Sequence, residues 1–120
     1  MLRYTRRHRL LSTKEYRRGF QLGKKKYLKG ITVLASCNEL DVPRLGFAVS
    51  KKQINKATQR NKIKRIAKEA FRNQQMHLTG VDYIVLVNKT CLNHKKTELY
   101  QYFQQVLKSA ADLCNSSSSP

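Results

Sequence analysis

The sequence predicts a single mixed α+β domain, and three features carry that reading. Its 120 residues, 40% of them apolar, suffice for one modest core. Two long segments repeat apolar residues every three to four positions, the period of a helix buried on one face. Short β-branched or alternating runs, bounded by Gly, Asn, Asp and Pro, read as strands.

Taken in order, residues 1–11 ("MLRYTRRHRLL") hold four Arg and one His with little turn signal, which fits an extended basic arm. Ser12 with Glu15 three residues on is a capping box and marks a helix start. Tyr16 and Phe20 then share one face of that helix, and Gly19 and Gly23 keep it short. Residues 24–30 ("KKKYLKG") form a basic connector or an edge strand. Residues 31–36 ("ITVLAS") read as a strand and 37–44 as a loop. In 44–50 ("RLGFAVS"), Leu45, Phe47 and Val49 point one way and Gly46, Ala48 and Ser50 the other. That second face is small and smooth, suited to close approach by a ligand backbone.

A helix of about residues 55–76 follows. Ile63, Ile66, Ala67, Ala70 and Phe71 fall on one stripe, beside an i, i+4 row of Arg60, Lys64, Lys68 and Arg72. Asn61, Lys62 and Arg65 fill the rest of its polar side. Residues 81–87 ("VDYIVLV") read as a buried central strand. Leu99, Tyr102, Phe103, Val106, Leu107 and Ala110 make 97–113 an amphipathic closing helix. The domain is therefore read as 1–113, with 114–120 a Ser-rich disordered tail.

Charge is the outlying property. Lys and Arg number 25 against 7 Asp and Glu, a net +18, and the pI is about 10.3. Self-repulsion of that size works against a compact state unless a polyanion neutralises it. Nucleic acid is the default polyanion and an anionic membrane surface the rival. The longest strongly apolar run, 83–87, is far short of a membrane span, and no apolar stretch follows the basic N-terminus as in a secretory signal. Cys37, Cys91 and Cys114 are odd in number and far apart, so they read as reduced thiols of a cytoplasmic protein.

Catalysis by the protein itself finds little support. The acids Glu15, Glu39, Asp41, Glu69, Asp82, Glu98 and Asp112 are scattered, with no two at i, i+3 or i, i+4. His8, His77 and His94 stand apart, and no nucleophile elbow, P-loop or dinucleotide pattern occurs. No catalytic residue, metal ligand or bound cofactor is assigned to the protein. Binding is better supported. Residues 60–72 place six basic residues in thirteen positions with Glu69 the one acid, and residues 1–30 hold eleven Lys and Arg against Glu15 alone. A merely solvated helix usually mixes signs. Tyr16 and Phe20, beside Arg17 and Arg18, form a candidate stacking platform for unpaired bases; the alternative is that the rings pack into the core. Charge alone does not separate DNA from RNA.

"RNKIKRIAKEAFR", preceded by "RLGFAVSKKQINKATQ" and followed by "VDYIVLVNKT", resembles the bacterial ribonuclease P protein subunit. Arg60, Asn61, Lys64, Arg65, Glu69 and Phe71 match that family's Arg-Asn-Arg motif, and "LLSTKEYRRGFQLGKK" resembles its first helix. Lys62 and Lys68 stand where the pattern has Arg, keeping the charge but losing the bidentate fork. On the strand near Leu34 some members carry a cleft-lining aromatic and this chain does not, which leaves the platform to Tyr16 and Phe20.

The resemblance implies the order α-β-β-β-α-β-α, a fold like a ribosomal-protein domain, with a left-handed βαβ crossover against the usual preference. It implies a monomer when free, partnered in the holoenzyme by a catalytic RNA that holds the magnesium and removes the 5′ leader of precursor tRNA. Arg60, Asn61, Lys62, Lys64, Arg65, Lys68 and Arg72 are then expected on the catalytic RNA. Tyr16, Arg17, Phe20 and Ser50 are expected in the leader cleft, with Lys51 and Lys52 beside it at the mouth of the basic helix, within reach of either RNA. A ribosomal or RNA-assembly protein is the alternative, and a protein nuclease with a composite site a third.

Overall fold

The computed structural model describes residues 8, 9, 12–38, 40, 42–78 and 80–117. Of the expected basic arm, only His8 and Arg9 lie within the described residues.

Helix α1 (Thr13–Leu22) starts as its sequence dictates. The Ser12 hydroxyl accepts from the Glu15 amide, and the Glu15 carboxylate accepts from the Ser12 amide, both at 3.1 Å. Gly23 ends the helix, its amide donating to the Gly19 carbonyl at 2.8 Å. Strand β1 (Lys24–Leu28) pairs antiparallel with β2 (Ile31–Cys37). The two-residue turn between them has φ of 51° at Lys29 and 90° at Gly30, the positive pair that a tight hairpin requires. The basic segment 24–30 is thus an edge strand and its turn.

Strand β3 (Arg44–Phe47) leads through helix α2 (Ala57–Arg72) to strand β4 (Val81–Val87), parallel to it. The sheet order is β1-β2-β4-β3, with β2 and β4 antiparallel. Helix α3 (Lys96–Ser117) closes the chain. The observed order is the expected α-β-β-β-α-β-α.

Three boundaries differ from the sequence reading, the first being strand β3, which ends at Phe47 rather than reaching residue 50. Helix α2 stops at Arg72 rather than near residue 76: the Asn73 amide still makes an α-helical bond to Glu69, but the Gln74 amide bonds three residues back, to Phe71, and a 3-10 turn follows over Gln75–His77. That turn lets buried Leu78 drop into the core before β4 begins. Helix α3 runs past residue 113, and Cys114 is 3% exposed rather than part of a tail. It extends the stripe of Leu107, Ala110 and Ala111, so the same spacing that built the helix prolongs it.

The pleat sends alternate residues to opposite faces. Ile31, Val33, Ala35, Leu45, Val81, Tyr83 and Val85 pack against α2 and α3, forming the main core. The other face carries Leu34 and Ile84, against which Tyr16 of α1, Ala48 and Leu86 pack. Strand β4 is apolar nearly throughout because both of its faces are covered. Helix α1 sits close on this second face: a Cβ at Gly19 would lie 2.4 Å from Ile84 Cδ1.

Folding also brings together two cysteines far apart in sequence. The sulfurs of Cys37 and Cys114, both free thiols, lie 2.7 Å apart. Buried Cys91 donates to the Gly30 carbonyl at 3.2 Å.

Candidate nucleic-acid interface

Helix α2 presents its apolar stripe to the core and its charges outward. Asn61, Lys62 and Arg65 are exposed along one ridge. Lys64 and Lys68 are half-buried on the flank facing the start of the chain. There Arg9 forms a parallel bridge with Leu45 beyond the β3 edge, and the His8 ring meets Phe71 edge-on at 6.2 Å. Burial first, then the charges of Arg9 and Lys64, push the Lys68 ammonium below its ordinary pKa. A phosphate there would relieve both repulsions.

Two motif residues have other engagements. Arg60 Nη1 donates to the carbonyls of Ile54 and Asn55 at 2.8 and 3.0 Å, tying down the loop that precedes the helix. Arg72 pairs with Glu69 one turn back. The ridge best placed for a partner is therefore Asn61, Lys62 and Arg65.

The second surface lies on the opposite face of the sheet. Tyr16 is half-buried, its hydroxyl accepting from the Phe47 amide at 3.1 Å, so its ring is a fixed wall against the sheet. Phe20, one turn on, is 50% exposed. The two rings thus divide the readings offered by sequence, one packing and one presented to solvent. Beyond α1, partly buried Ala48, Leu86 and Thr32 form the floor. Arg17 is exposed on the helix. At the β3 end, Ser50 opens a turn, its hydroxyl accepting from the Gln53 amide at 3.2 Å and its carbonyl from the Ile54 amide at 3.0 Å. Lys51 and Lys52 stand exposed in that turn.

Sequence reasoning missed what fixes α1 on the sheet. Arg44 donates to both oxygens of Asp82 at 2.8 and 2.7 Å and to Glu15 at 2.6 Å. Asn38 adds a fourth hydrogen bond, to Asp82 at 2.8 Å. Two acids that looked scattered thus converge on one guanidinium, whose pKa is raised chiefly by the hydrogen bond to Asp82. A signal was present, since an acid inside a buried strand needs a cationic partner.

Known proteins share this architecture. The family profile described as Ribonuclease P matches residues 4–111. The "Ribonuclease P protein component" of Vibrio campbellii is 38% identical over 103 residues, covering 86% of this chain and 87% of its own. That of Methylococcus capsulatus is 38% identical over 117 residues, covering 98% and 91%. The structure of the Staphylococcus aureus RNase P protein superposes with a TM-score of 0.79 at 30% identity, covering 86% of this chain and 94% of the other.

Proposed function

The chain belongs to the ribonuclease P protein family, and from that premise we propose how its two surfaces serve a nuclease whose chemistry resides in RNA. It is the protein component of this tRNA-processing endoribonuclease. In our reading the catalytic RNA subunit holds the magnesium and hydrolyses the bond that frees the 5′ leader of precursor tRNA. The protein binds both RNAs.

The α2 ridge of Asn61, Lys62 and Arg65, flanked by Lys64, Lys68 and Arg72, docks on the catalytic RNA. Each phosphate it neutralises releases counterions, so assembly weakens steeply with salt. Arg60 positions the loop that carries Lys51 and Lys52 rather than acting as a primary contact. The cleft takes the leader. Exposed Phe20 stacks on an unpaired base against the Tyr16 wall, while Arg17, Lys51 and Lys52 meet phosphates and Ser50 lines the end. Stacking of this kind accepts any base, which suits an enzyme with many precursors.

The observation that carries this reading is the placement of the two surfaces. Helices α2 and α1 pack on opposite faces of one thin sheet. A body with net charge +18 can therefore lie between two RNAs and damp their mutual repulsion, lowering the magnesium they require. The same charge keeps free copies apart, so we take the free protein to be a monomer. Among the described residues no helix is long and apolar enough to cross a membrane. Its partners being RNA, we take its compartment to be the cytoplasm.

The test is cleavage of precursor tRNA by the catalytic RNA alone, the protein alone, and both, across magnesium concentrations. We expect activity at low magnesium only with both present. Cleavage by the protein alone, or RNA activity unchanged by the protein, would overturn the reading.

A further inference from the structure

We propose that Tyr27 is a second stacking platform for the leader, set at the far end of the cleft on β1; the inference rests on the cleft reading above. The pairing register gives its direction. Lys25 lies opposite Leu34 and Tyr27 opposite Thr32, whereas Leu28 packs against the main core. Leu34 is on the α1 face, so Lys25 and Tyr27 share that face and the side chains between them turn away.

The register extends this into a row. Thr32 stands opposite Leu86, and the Ala48 amide donates to the Val85 carbonyl, continuing the pairing past Phe47. Ala48, Leu86, Thr32 and Tyr27 therefore cross all four strands, a span of about 14 Å at the usual strand spacing. Tyr16 of α1 packs on this face with Ala48 and Leu86, and exposed Phe20 follows one turn on along the helix. A single strand laid along the row from the Lys51 end would finish against the Tyr27 ring.

Tyr27 is built for contact rather than for the core. It is 62% exposed and belongs to neither core cluster. Yet its hydroxyl accepts from the Gly30 amide at 3.2 Å, which holds the ring over the hairpin turn. An exposed aromatic whose orientation is already set loses little entropy when a base stacks on it. Exposed Lys25, on the same face, supplies a phosphate partner beside it.

The competing role is structural, with Tyr27 as a cross-strand partner of Thr32 that stabilises the hairpin. Leader-length titration separates the two. Holoenzyme is reconstituted with the catalytic RNA and either wild-type protein or Tyr27→Phe, Tyr27→Leu or Phe20→Ala. Affinity is measured for precursor tRNAs with leaders lengthened one nucleotide at a time from one. Wild-type affinity should climb with length to a plateau. Tyr27→Leu should reach its plateau at a shorter leader and fall about tenfold below wild type on the longest. Tyr27→Phe, which keeps the ring but loses the hydrogen bond that orients it, should plateau at the wild-type leader length with an affinity between those of wild type and Tyr27→Leu. Phe20→Ala should flatten the climb from its start. If Phe20→Ala flattens it while Tyr27→Leu tracks wild type, the Tyr27 inference is wrong and the cleft reading survives. Should no variant alter the length dependence, the cleft reading itself fails. A loss with Tyr27→Leu that is equal at every length assigns the ring to folding and also overturns the inference.

Discussion

Arg44 closes on Asp82 through two parallel hydrogen bonds, Nε to Oδ1 at 2.8 Å and Nη2 to Oδ2 at 2.7 Å. The carboxylate is 4% exposed, so little water is available to replace its partner. Because Nη1 also holds Glu15, one side chain joins β3, β4 and the first turn of α1. Arg44→Met should strand a buried charge and destabilise the fold by about 3–5 kcal/mol in urea titration. A loss below about 1 kcal/mol would mean that Asp82 finds solvent or another donor.

Contact between α1 and the sheet depends on the missing side chain at Gly19. Gly19→Ala gains helix propensity worth about 1 kcal/mol but forces a methyl toward Ile84 Cδ1, overpacking that costs about 1–3 kcal/mol. We expect a net destabilisation that Ile84→Val, which deletes that Cδ1 methyl, largely relieves. The readout is a double-mutant cycle in urea. A coupling above about 0.5 kcal/mol supports the contact, and strict additivity argues against it.

Arg60 and Lys62 are two residues apart and should behave differently. Arg60→Gln frees the Ile54 and Asn55 carbonyls and should cost about 1 kcal/mol of stability, with faster amide exchange in residues 50–56. Lys62→Ala, on the exposed ridge, should leave stability within about 0.5 kcal/mol and weaken binding to the catalytic RNA. Equal stability losses would show that the division of roles is wrong.

Stability should also fall at alkaline pH. Burial pushes the Cys91 thiol up to about 11, against an ordinary value near 8.5. The fold holds this thiol neutral while the unfolded chain ionises it. Its contribution is thus complete below about pH 8.5 and is lost as pH rises toward 11. Burial raises the Tyr83 hydroxyl as well, extending the decline upward. Melting temperature across pH 7–11 should be flat and then drop, and Cys91→Ala should drop less steeply over pH 9–11. An identical slope would place the loss elsewhere.

Much of this fold is legible in local pattern. Ser12 and Glu15 announce α1, the stripe from Ile63 to Phe71 announces α2, and the alternation at Leu45, Gly46 and Phe47 announces the two-faced strand. Each depends only on near neighbours. The unread features are non-local. Nothing beside Arg44 in sequence points to Asp82, and nothing in "KKKYLKG" says which way Tyr27 faces until pairing with Thr32 sets the register. Arg60 reads as one charge among six, but the loop at Ile54 captures it. Cys114 falls next to a Ser-rich stretch whose composition hides the last turn of a core-facing stripe.

The central claim is that two RNAs occupy opposite faces of one sheet. It is tested most directly by measuring two affinities on two variants: protein for catalytic RNA across salt, and holoenzyme for precursor tRNA with long or one-nucleotide leaders. Arg65→Ala should weaken the first, reduce its salt slope by about 1, and preserve the long-to-short leader ratio. Phe20→Ala should preserve the first and collapse that ratio. If both variants weakened both affinities alike, the two faces would not be separate sites, and the account would be wrong.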